Sequence, residues 1–91
     1  MITIGTRIRY LRMKRGMTIK YLGQMIDFPT ASADVRIAQY ENDTSTPKPD
    51  LIIKLEDVLG VAPEYLWTPV PFTPEEIQVM EFWQGELSNH S

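Results

Sequence analysis

The chain has 91 residues, 43% of them hydrophobic and 23% charged, with a net charge of −3, which fits one soluble domain with a modest core. It holds no cysteine, and its one histidine, His90, is next to last, so disulfides and thiolate metal sites are excluded and a His-based metal centre or catalytic triad is not expected. No basic-then-apolar leader opens the sequence and no apolar run approaches a membrane span, so a cytoplasmic protein without membrane association is expected.

Taken in chain order, every regular segment reads as helix. Ile4, Ile8 and Leu11 recur at i, i+4 and i+7, and Gly16 supplies a stop. This first segment is also strongly basic. Residues 1–26 carry Arg7, Arg9, Arg12, Lys14, Arg15 and Lys20 with no acid (+6), while the rest holds three basic and all twelve acidic residues (−9). Such a split suggests a basic face for a polyanion, or equally a solvated helix whose charges offset acids elsewhere. Thr18 is a candidate N-cap for a second helix with Leu22, Met25 and Ile26 inward. Phe28-Pro29 is expected to interrupt it, because proline disfavours helix in the residue before it.

The stretch from Ser32 to Asp43 predicts a third helix with Ile37, Ala38 and Glu41 inward and with Arg36 and Gln39 looking out. Residues 43–49 are loop by composition. Leu51, Ile52, Leu55, Val58 and Leu59 predict a fourth helix closed by Gly60, and Pro63 opens a short fifth one. Thr68-Pro69-Val70-Pro71-Phe72 reads as a stiff linker. Thr73, Pro74 and Glu76 then spell a capping box for a C-terminal helix running to about Leu87. Its Ile77, Met80, Trp83 and Leu87 form an apolar stripe whose arc exceeds what one small domain covers, which points to a dimer interface, with docking within the chain onto the fifth helix as the alternative.

Two short helices joined by a turn, the second with polar groups outward, are the elements of a helix-turn-helix. Ile4-Gly5-Thr6-Arg7-Ile8-Arg9-Tyr10-Leu11-Arg12, then Leu22-Gly23, Ile37-Ala38-Gln39-Tyr40-Glu41, Pro47 and Leu59-Gly60-Val61 resemble the XRE family, which includes the lambdoid phage repressors and Cro proteins. The resemblance covers residues 2–67. It implies an all-α, five-helix repressor-like domain over residues 1–67 and leaves residues 68–91, the linker and C-terminal helix, unexplained. It further implies a sequence-specific regulator, a repressor, that reads double-stranded DNA as a homodimer. No cofactor, metal or enzymatic activity is expected, since no convergent set of catalytic or ligating residues is visible.

Carried over residue by residue, the resemblance puts base reading on Asp34, Val35, Arg36 and Gln39. Arg suits guanine, Gln suits adenine, and Val can touch a thymine methyl. Thr18 and Lys20 on the second helix and Asn42, Thr44, Ser45 and Lys48 in the following loop are the further DNA contacts it implies. It also pairs Arg12 with Glu41. The spacing agrees, since Arg12 follows Ile8 by four positions and Glu41 follows Ile37 by four, so each borders a buried stripe. Gly23 stands where the family usually has Ala, which suggests a close crossing of the second and third helices. Elsewhere the chain departs from the pattern: the turn is longer, with the excess in Asp27–Asp34. Ile19 replaces a Gln, Asp43 a Gly, Ser45 a basic residue and Glu56 a small apolar one. The thinner phosphate grip and the acidic balance support an alternative, a domain repurposed to bind an unidentified protein partner as an adaptor or antitoxin-like module.

Overall fold

The computed structural model describes residues 2–68 and 71–89, with side chains as far as Gly85. Five helices occur among the described residues: α1 (Ile4–Lys14), α2 (Ile19–Met25), α3 (Ala33–Glu41), α4 (Pro49–Leu59) and α5 (Pro74–Asn89). Their ends follow from local chemistry. Thr3 caps α1 by accepting from the Thr6 amide, and Gly16, at φ +68°, ends it in the left-handed conformation. Thr18 caps α2 in the same way, accepting from the Tyr21 amide at 3.0 Å.

The stop of α2 differs from the expectation. The helix ends at Met25, ahead of the Phe28-Pro29 pair, because Asp27 adopts φ +69° and the Phe28 amide donates back to the Gly23 carbonyl at 2.9 Å. That left-handed cap, not the proline, ends the helix. A second difference concerns residues 63–67, which form successive turns and no helix. Glu64 sits at φ +71° there, which no helical residue adopts.

Ile8, Leu11, Leu22, Ile26, Ile37, Ile52, Leu55, Leu59, Leu66, Phe72 and Met80 make one core. Two buried polar side chains fasten the 63–67 turns to it. Arg7 donates to the Leu66 carbonyl at 2.6 Å and to that of Ile2 at 3.2 Å, while Glu56 accepts from the Leu66 amide at 3.1 Å. Glu56 is therefore a satisfied buried acceptor rather than a packing fault.

The C-terminal stripe docks at least in part within the chain. α5 lies on α1 within the same chain: Met80 is fully buried in the core, Ile77 packs against it, and Trp83 stacks 6.0 Å from Tyr10 beneath the Arg9 guanidinium. Met80 is thus spent on this chain's own core, while Ile77 and Trp83 stay half-buried beside it. The Leu87 side chain lies outside the described residues. What α5 leaves open is the flank carrying Val79 and Phe82, the latter 64% exposed. The capping box does form, with Thr73 and Glu76 exchanging bonds of 2.9 and 3.2 Å.

Candidate nucleic-acid interface

Three devices fix the attitude of α3. The first is the crossing with α2: a Cβ on Gly23 would come within 2.7 Å of the Ala33 Cβ and 2.8 Å of its carbonyl oxygen, so the two helices meet at glycine. The second is the contact with the start of α1, where a Cβ on Gly5 would strike the Tyr40 carbonyl oxygen and lie 2.9 Å from that of Glu41. The third is charged. The Arg12 guanidinium grips Glu41 in two-point fashion, Nε at 2.6 Å and the second nitrogen at 3.0 Å, and donates its remaining edge to the Met17 carbonyl at 2.8 Å. Both side chains are nearly buried, at 13% and 8% exposure. The pair is thus fully hydrogen-bonded, which offsets its desolvation.

With Ala33, Ile37 and Glu41 turned inward, the opposite face of α3 meets solvent. Val35, Arg36 and Gln39 are all exposed on it, and Asp34 is half-buried. Asp34, the acidic residue of the first turn, accepts from the Val35 amide at 2.8 Å. Arg36 lies with its guanidinium carbon 3.7 Å from the centre of the Phe28 ring. Thr18 and Lys20 are exposed at the start of α2.

The loop after α3 is ordered from within. Asn42 accepts from the amide and hydroxyl of Thr44, and the Ser45 amide returns to the Gln39 carbonyl at 3.1 Å. Asp43 occupies φ +64°, which explains glycine as the usual choice, and accepts from the Thr3 hydroxyl at 2.7 Å. Asn42, Thr44, Ser45 and Lys48 all remain exposed. An open cleft of about 360 Å³, lined by Phe28, Arg36, Tyr40, Ser45, Lys48 and Lys54 among others, separates α3 from the start of α4.

The helix-turn-helix family profile matches residues 8–66. The chain belongs to the XRE-type helix-turn-helix family. No curated protein and no solved structure matches it. The helix-turn-helix assignment makes this a DNA-binding type of regulatory domain, of a family not typically enzymatic. Among the described residues no helix is long and apolar enough to cross a membrane, and no cluster of His, Asp and Glu is arranged to hold a metal ion.

Of the two readings of the basic first helix, the pairing of its charges within the chain agrees with the one in which they offset acids elsewhere. Arg7 is buried, and that burial lowers its pKa from the ordinary value. Arg12 is spent on Glu41, Lys14 on Glu76 at 3.1 Å, and Arg9 on the Trp83 ring. The burial of Arg7, though not its partner, is visible in retrospect, since position 7 falls between Ile4 and Leu11 on the buried stripe. Phe28 has no such signal: a lone aromatic in a loop says nothing of the arginine eight residues later.

Proposed function

We propose that this protein is a cytoplasmic, sequence-specific transcription regulator that presents α3 to the DNA major groove as a homodimer and represses by occupying its operator. The observation that carries the reading is the exposed row Val35, Arg36 and Gln39 on a helix whose attitude is fixed by Gly5, Gly23 and the Arg12–Glu41 pair. Side chains of these three types discriminate thymine, guanine and adenine in the major groove. Thr18, Lys20, Ser45 and Lys48, exposed on the adjoining α2 and loop, are suited to phosphates.

Selection from a random duplex library at near-physiological salt tests this. A motif is expected, bound far more tightly than about 10 μM. Arg36→Ala and Gln39→Ala should each relax one position at a cost of about 1–3 kcal/mol. Lys48→Ala should instead weaken all duplexes alike and lower the salt slope by about 1. The homodimer has its own test: Phe82→Asp, on the open flank of α5, should halve the mass seen by light scattering without loss of helix. A wild-type monomer at working concentration removes the dimer from the proposal.

One observation favours a second reading, in which the domain binds a protein. Arg7, Arg12 and Lys14 are engaged within the chain, so much of the N-terminal positive charge is already neutralised or buried. A folded protein that enriches no motif would leave this reading standing.

A further inference from the structure

The longer turn between α2 and α3 contributes an aromatic ring at the edge of the reading face. Phe28 is held there from two sides. Its backbone is fixed by the left-handed Asp27 and by the 2.9 Å bond to the Gly23 carbonyl, and its ring leans on Tyr40 with centroids 6.2 Å apart. Arg36, one helical turn before Tyr40, lies over that ring, its guanidinium carbon 3.7 Å from the centroid. Among the described residues the guanidinium makes no hydrogen bond and no ion pair.

Stacking uses the face of a guanidinium and leaves its N–H edges free. Those edges are what a guanine O6/N7 pair accepts from. An arginine already held over a ring also loses less rotamer freedom on binding than one that samples the open cleft beside α3. We infer that Phe28 is a positioning residue for base reading: it pre-orients Arg36 and so sets the strength of the preference at one base pair. The inference rests on the DNA-reading function proposed above.

Library selection with the full chain, Phe28→Leu, Phe28→Tyr, Arg36→Ala and the Phe28→Leu/Arg36→Ala double variant tests it. Phe28→Tyr should retain the whole wild-type motif. Phe28→Leu should keep the remaining positions and the non-specific affinity while weakening the Arg36 position by about 2–5-fold. In the Arg36→Ala background the Phe28→Leu change should add nothing at that position. Proton NMR of the wild-type chain supplies a readout independent of whether Phe28→Leu folds: the Arg36 δ-protons should be shifted upfield by the ring.

Ordinary shifts for those protons overturn the inference. So does a Phe28→Leu variant whose preference at the Arg36 position is unchanged, or one whose losses spread evenly over the motif, which marks a merely structural role. A motif that depends on Arg36 but not on Phe28 overturns the inference alone. A wild-type chain that enriches no motif overturns the DNA reading and this inference together.

Discussion

Helices α1 and α3 both carry arginines, and they use them in opposite ways. On α1 the charges are turned to the molecule's own purposes. Arg7 binds two backbone carbonyls in the interior, Arg12 holds Glu41, Arg9 covers Trp83, and Lys14 reaches Glu76 on α5. On α3, Arg36 rests on an aromatic face with its donor edges unspent, and Gln39 beside it is exposed. The difference follows from position relative to the buried stripe, not from residue type or local charge. A run of six basic residues without an acid looks like a polyanion site, yet four of them lie on α1, a helix packed against α3, α4 and α5. Helix α3 has fewer charges, but one of its faces has no neighbour in the fold.

The comparison breaks most severely at the Arg12–Glu41 pair, which joins the two helices. Either Arg12→Ala or Glu41→Ala should cost about 3 kcal/mol, because the surviving charge stays desolvated without its partner. The double variant should cost clearly less than the sum of the singles. Denaturant unfolding of all four proteins gives the coupling, and additive losses would show that the pair is two independent surface charges. Arg36→Ala, by contrast, should leave stability nearly unchanged, since the Arg36 side of its contact with Phe28 is exposed.

A smaller loss is expected at Gly23. Alanine there must move the Ala33 backbone, whose carbonyl oxygen would lie 2.8 Å from the new Cβ. Overpacking of this kind costs about 1–3 kcal/mol. Because it widens the α2–α3 crossing, Gly23→Ala should reduce operator affinity by more than the stability loss alone explains. Adding Ala33→Gly should recover only part of either effect, as the backbone contact persists after the Cβ is gone. Full recovery would mean that the two methyl positions, and not the close backbone approach, set the crossing.

The legibility of these features in the sequence follows the range of the interactions that make them. Helix existence, the caps at Thr18 and Thr73, the Gly16 and Gly60 stops and the inward set Ile37 and Glu41 all rest on neighbours within four residues or so, and the sequence shows them. The Arg12–Glu41 pair was reachable because each member borders a periodic apolar row. The α5 stripe was readable as apolar, but which surface it covers was not. Tyr10, Phe72 and Trp83 meet through tertiary packing across some seventy residues of chain, and periodicity has no access to that. For the same reason the sequence could not show that Arg7 runs inward to Leu66, or that Phe28 from the longer turn meets Arg36. In both cases a loop with no periodic signal supplies the partner.

The smallest expected effect sharpens the comparison on the α1–α5 side and depends on pH. Glu76 is held well below its ordinary 4.5, at about 2, chiefly by the Thr73 backbone amide, then by the Tyr10 hydroxyl and Lys14, with burial working against them. Tyr10 is pushed up to about 12, first by its burial and then by Glu76. For Glu76 the folded state binds the proton more weakly than the unfolded one. Its contribution is therefore complete above the unfolded value of 4.5 and is lost as pH falls toward 2. Tyr10 acts at the other end: its contribution is complete below 10 and is lost as pH rises toward 12. Glu76→Gln keeps a capping-box side chain but gives up the charge facing Lys14, which is itself 56% exposed, so the loss at neutral pH should be under about 1 kcal/mol. The decisive readout is the slope. Trp83 reports the docking of α5, and Trp67→Phe leaves it as the single fluorophore among the chain's two tryptophans. In that background, thermal unfolding from pH 6 downward should steepen below 4.5 with Glu76 and run flatter with Gln. Parallel curves across that window would mean that Glu76 is not held by Thr73, Tyr10 and Lys14 in solution, and that α5 rests on α1 through Met80 and the aromatic stack alone.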